Sequence, residues 1–166
     1  MKIRNFANRN INSRKMEHII PIASDHGGYE MKQFLVRKLE ETGWKVVDFG
    51  THSSESVDYP DMIHPLASAI EKGEYPLGII LCGSGNGAQM TANHHRHVRA
   101  ALCWNVALAQ LARQHNDANI LALPGRFISN ELAWEMVQVF LNTGFEGGRH
   151  ARRVEKIEPK ENHEND

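Results

Sequence analysis

At 166 residues the chain has the length of one domain, large enough to bury most of its unfolded surface around a single core. Hydrophobic residues make up 41% and charged ones 23%, and 19 Lys and Arg against 20 Asp and Glu give a net charge of −1. That balance supplies no basic field for nucleic acid, no apolar run approaches the ~18 residues of a membrane span, and the two cysteines form neither a disulfide framework nor a C-x-x-C zinc knuckle. The composition suits a reducing cytoplasm and leaves a small anionic substrate open, because a local basic cluster is enough to hold one.

Residues 1–17 are basic and Asn-rich without an amphipathic stripe, and read as a disordered extension rather than a targeting peptide. From His18 short apolar runs alternate with helical periodicity. His18–Ala23 is a strand leading into Ser24-Asp25-His26-Gly27-Gly28. Met31, Phe34, Leu35 and Leu39 follow at helical spacing up to Gly43. Lys45–Phe49 is the second strand, and a Ser-rich loop runs through Asp58-Tyr59-Pro60 into a helix over about 61–71. Leu77–Leu81 is unbroken apolar sequence, the mark of a strand buried on both faces.

Cys82-Gly83-Ser84-Gly85-Asn86-Gly87 comes next, with a helix to about Asn93. Val98–Trp104 is the fourth strand, Val106–Arg113 a short helix, and Asn119–Leu123 the fifth strand. A helix marked by Leu132, Met136, Val139 and Phe140 stops near Gly144, and a basic C-terminal helix spans Gly147–Ile157 before an acidic tail, 158–166, that should fray. Five βα units in one domain predict a three-layer α/β/α, Rossmann-like fold with an open, parallel, five-stranded sheet. Ligands of such sheets bind beyond the carboxyl ends of the strands, which draws Asp25, His26, Tyr59 and Cys82 to one edge.

The glycine loop after Cys82 can aim backbone N–H groups inward as an anion cradle, and those amides favour thiolate at its rim. Packing around a glycine turn is the competing explanation. A dinucleotide fingerprint fails because the third glycine comes one residue early and the loop follows the third strand, not the first. A cysteine phosphatase loop fails because Ala88 stands where an arginine is needed. Proton abstraction beside a carbonyl remains, with the amides stabilising an enediolate. Asp25 is either a ligand-orienting carboxylate or an ordinary helix cap. His115, in Arg113-Gln114-His115-Asn116-Asp117-Ala118-Asn119, has the pKa range for proton transfer, although a lone loop histidine is more often merely solvated. Arg149 and Arg153, four apart, share a helix face suited to phosphate or simply to water. His94, His95 and His97 cannot easily converge on a metal and read as a surface loop.

Taken in order, SDHGG (24–28), G-T-x-S-S-E-x-x-D-Y-P (50–60), CGSGNG (82–87), R-Q-H-N-D-A-N (113–119), G-R (125–126) and E-G-G-R-H-x-x-R-V-E (146–155) resemble the sugar-phosphate isomerase family that includes type B ribose-5-phosphate isomerases and two-subunit galactose-6-phosphate isomerases. The resemblance implies a metal-independent, cofactor-free aldose–ketose isomerase of the pentose phosphate pathway. In it Cys82 is the base, Ser84 aids proton exchange, and the Gly83, Gly85, Asn86 and Gly87 amides hold the enediolate. His115 opens the sugar ring with help from Asp25; His26, Arg126, Arg149 and Arg153 bind phosphate; Tyr59 and Asn116 touch substrate. Some relatives use a glutamate just after the glycine loop instead, a position filled here by Ala88. It also implies a homodimer or homotetramer with sites shared between subunits. The same chemistry on a six-carbon phosphate such as galactose or allose 6-phosphate, and a non-catalytic sugar-phosphate-binding module, are the alternatives.

Overall fold

The computed structural model describes residues 18–160. The extension expected over 1–17 and the tail from residue 161 lie outside the described residues. Five parallel strands run β1 (Ile19–Ser24), β2 (Lys45–Asp48), β3 (Gly78–Cys82), β4 (Ala100–Leu102) and β5 (Ile120–Pro124), arranged β2-β1-β3-β5-β4. The helices are α1 (Tyr29–Glu41), α2 (Tyr59–Glu71), α3 (Asn86–Ala92), α4 (Val106–Asn116), α5 (Asn130–Asn142) and α6 (Arg149–Val154), with a 3₁₀ turn at His26–Gly28. The expected open parallel sheet with helices on both faces is therefore what forms. No helix among the described residues is long and apolar enough to cross a membrane.

Period-two alternation divides the core. Ile79 and Leu81 of β3 pack with Leu35, Leu39, Met136 and Phe140 beneath α1 and α5, while Ile80 and Cys82 face Ile63, Leu66 and Ala88 beneath α2 and α3. Each run of β3 and β5 is buried throughout, which is why both read as continuous apolar sequence. From β1 the chain turns to β2 on one side and then crosses to β3 on the other. The two loops leaving β1 and β3 consequently diverge and open a crevice between them.

Three elements differ from the sequence expectation. α4 continues three residues past Arg113, so His115 and Asn116 occupy its last turn instead of a loop. Arg113 closes that turn by donating from Nη1 to Asp117 Oδ1 (2.9 Å) and the Ala118 carbonyl (2.6 Å), and Asp117 takes the left-handed position (φ 44°) that glycine usually fills. β4 shrinks to three residues because Arg99 N–H turns to Asn119 Oδ1 (2.7 Å) before it, and Asn105 leaves after it to cap α4 through Leu108 N–H (2.9 Å). α6 spans six residues, Arg149–Val154, shorter than the eleven expected.

Candidate active site

β1 and β3 lie side by side with Ser24 opposite Leu81, so Asp25 and Cys82 leave the sheet at one edge. Asp25 Oδ1 accepts from Gly27 N–H (2.8 Å) and Gly28 N–H (3.2 Å). The helix-cap explanation thus holds for this oxygen, and the second one has no protein partner among the described residues. His26 Nδ1 lies 3.2 Å from both the N and the O of Val57, which ties the Ser-rich loop to the β1 turn.

The loop after β3 is stitched to the loop after β5. Gly125 N–H donates to the Cys82 carbonyl (2.9 Å) and Arg126 N–H to the Gly83 carbonyl (3.0 Å), carrying the Arg126 side chain over Gly83. The N–H groups of Gly83, Ser84 and Gly85 donate to no protein acceptor among the described residues. Three adjacent unspent donors at a sheet edge are an anion site in waiting. Asn86 N–H is held by Ser84 Oγ (3.3 Å). Gly85 has φ 79°, and a Cβ on it would meet Leu102 Cδ1 at 2.4 Å, so the loop's path requires glycine. Gly87 lies under Tyr59, whose ring would sit 2.5 Å from an added Cβ. Asp25, His26, Tyr59, the glycine loop and Arg126 are thereby gathered.

Cys82 belongs to this edge but not to its open rim. It is 4% exposed and belongs to the buried apolar cluster that includes Ala23, Ile63 and Ala88. The sequence placed the thiol at the mouth; the side-chain alternation of β3 turns it instead toward α3. Cys103, the other cysteine, is pushed up to about 11 by burial and stays a protonated thiol near neutral pH.

The remaining expected residues form a second cluster. His115, Asn116 and Arg153 line a cavity of about 630 Å³ together with Gln89, Leu102, Leu108 and Leu111, and neither Cys82 nor Asp25 lines it. Arg149 begins α6 beside it without lining it. One chain therefore does not bring His115 and the arginines onto Cys82. Sequence reasoning passed over two members of this cluster. His150, 10% exposed, stacks on His115 with centroids 4.1 Å apart, and Glu146 lies within 3.8 Å of both imidazoles. Both stood in the E-G-G-R-H segment, but nothing in their spacing from His115 signalled the contact. Burial, then the neighbouring His115 and Arg149 charges, lower the His150 pKa and keep it neutral. The His94–His97 loop also has more structure than expected: His95 bridges His64 (2.8 Å) and Glu71 (3.0 Å).

The sequence matches the model of the Ribose/Galactose Isomerase family over residues 20–157. The chain belongs to that family. Ribose-5-phosphate isomerase B of Escherichia coli K12 is 44% identical over 138 residues, covering 83% of this chain and 93% of that protein. Among solved structures, a ribose 5-phosphate isomerase from Thermotoga maritima is 50% identical with a TM-score of 0.82, covering 84% of this chain and 96% of its own. The ribose-5-phosphate isomerase B of Mycoplasma genitalium, solved with bound ribulose-5-phosphate, is 41% identical with a TM-score of 0.81 and covers 84% and 93%. As a member of the ribose/galactose isomerase family, the chain is an isomerase.

Proposed function

We propose that this isomerase interconverts ribose 5-phosphate and ribulose 5-phosphate in the cytoplasm, within the pentose phosphate pathway, through an enediolate and with Cys82 as base. The observation that carries the reading is the row of unspent N–H groups at Gly83, Ser84 and Gly85, which follow Cys82 directly at the end of β3. Once His115 has opened the ring, the Cys82 thiolate takes the proton from C2. The C2–H electrons form the C1–C2 double bond, and those of the C1 carbonyl move onto O1, where the loop amides stabilise the charge. Ser84 relays a proton from O2 to O1, and the thiol returns its proton to C1. Arg126 and His26 hold the phosphate from this edge, with Arg149 and Arg153 contributing from the second cluster. Tyr59, Asn116 and the second Asp25 oxygen meet the sugar hydroxyls.

Two copies of the chain reconcile the two clusters: the cavity of one supplies His115 and the arginines to the glycine loop of the other. The exposed apolar side chains Leu108, Leu111 and Ile157 around that cavity suit such an interface. The arrangement is a homodimer, or a pair of dimers, sharing each site.

A coupled assay with ribose 5-phosphate and six-carbon phosphates side by side, in the presence of chelator, tests the reading. Ribose 5-phosphate should turn over fastest. Cys82→Ala should lower kcat by about 10²–10⁴-fold while leaving the fold intact. Turnover that survives this change, or alkylation of the thiol, shows that another group is the base. A folded chain inert on every sugar phosphate would leave only the binding module.

A further inference from the structure

His115, Glu146 and His150 come together by independent anchors. His115 sits in the last turn of α4, Glu146 is pinned there by its own N–H to the Gln114 carbonyl (3.0 Å), and His150 enters α6 with its N–H on the Gly147 carbonyl (3.0 Å). Nε2 of His115 lies 3.8 Å, and Nε2 of His150 3.7 Å, from the same oxygen of Glu146. The three ligand atoms all fall within 4.8 Å of one another. The isomerisation described above uses His115 alone, so it explains neither the carboxylate nor the second imidazole.

We propose that His115, Glu146 and His150 form a binding site for zinc or a similar borderline divalent ion, and that an ion held there inhibits the enzyme by occupying the His115 nitrogen. Two imidazole nitrogens and one carboxylate oxygen are a donor set that zinc accepts and that magnesium or calcium, which favour oxygen, do not. Zinc bonds of about 2.0–2.2 Å place tetrahedral ligand atoms roughly 3.4 Å apart, so the two edges to Glu146 need close by only a few tenths of an ångström. The rings, now within 9° of parallel, must tilt to aim their lone pairs at one ion. His115 and Glu146, 38% and 50% exposed, are able to move, while His150 is the buried anchor. Arg153, on the same cavity, opposes a cation, so the affinity is weaker than that of a structural zinc site.

Zinc ions titrated into the full chain against a chromogenic chelator test the site without reference to activity. Glu146→Gln and His150→Gln should each weaken binding at least about tenfold. The isosteric and exposed Glu146→Gln guards against a His150 variant that fails to fold. A His64→Gln/His95→Gln protein, which removes the other close imidazole pair, should bind as the parent does. Binding that is indifferent to Glu146 and His150, or lost with His64 and His95, overturns the site. The inhibitory half rests on His115 opening the ring: zinc should stop turnover, and EDTA should restore it. Zinc bound at the three residues with turnover untouched overturns that half and the ring-opening role, and leaves the metal site standing.

Discussion

Lys32 is completely buried, with Nζ 2.6 Å from Asp48 Oδ1 and 2.6 Å from the Thr51 carbonyl. It secures the start of the Ser-rich loop whose far end bears His26's partner Val57 and Tyr59. Replacing it by methionine strands the Thr51 carbonyl and leaves Asp48 Oδ1 with the Gly50 N–H but without its cation. Denaturant unfolding should show a loss of about 1–3 kcal/mol. Burial, opposed by the Asp48 contact, lowers the lysine's pKa from its ordinary 10.5. The unfolded chain then binds more protons across the interval between the folded value and 10.5, so stability rises with pH through that interval and falls as pH drops. The stability gap between the parent and Lys32→Met should therefore widen toward pH 10.5, and a gap that narrows would contradict the buried-charge account. Lys32 shares a helix face with Leu35 and Leu39, so its burial was written in the spacing. It escapes a sequence reader because helix lysines normally extend their charge to water along the surface. Asp25 was legible as a cap, and the ligand role proposed for it falls to the other oxygen of the same carboxylate.

The apolar runs of β1, β3 and β5 and the glycine that follows α1 made most of the elements readable, because buried strands and helix stops leave local marks. What escaped was set by distant partners. The end of α4 depends on Arg113 reaching Asp117 and Ala118, and the short β4 on Asn119 taking the N–H of Arg99 before it and Asn93 that of its first residue, Ala100. The glycine loop shows how two glycines in one motif differ. Gly85→Ala must adopt φ 79° against the Leu123 backbone at 3.2 Å and should cost about 1–3 kcal/mol of stability. Gly87→Ala lies inside α3, where alanine favours the helix by up to about 1 kcal/mol, and the clash falls on a half-exposed Tyr59 ring that can swing aside. Thermal melts should barely move, while KM rises several-fold with less change in kcat. An unchanged KM would remove Tyr59 from the substrate site.

At the scale of the molecule, the motifs were legible as a set, but their grouping was not. Chain order gives no sign that Cys82 and His115 lie in different clusters, because strand order in space, β3-β5-β4, differs from order in sequence. If each site joins the glycine loop of one copy to the cavity of another, two dead variants should rescue one another. Equal amounts of Cys82→Ala and His115→Asn chains, unfolded and reassembled together, should regain about a quarter of parental turnover, since half the dimers are mixed and each holds one intact site. Reassembled separately, each should stay inactive. Failure to complement would mean that a single chain rearranges to close its own site.

The division of polar groups between the sheet edge and the α4–α6 cavity has a further consequence for behaviour in dilute solution. If the two halves of the site reside on different molecules, as proposed, the catalyst loses specific activity as it is thinned out. Once the chain concentration falls well below the dissociation constant of the pair, each halving should cut the observed rate about fourfold, and adding inert Cys82→Ala chains should partly restore it by mass action.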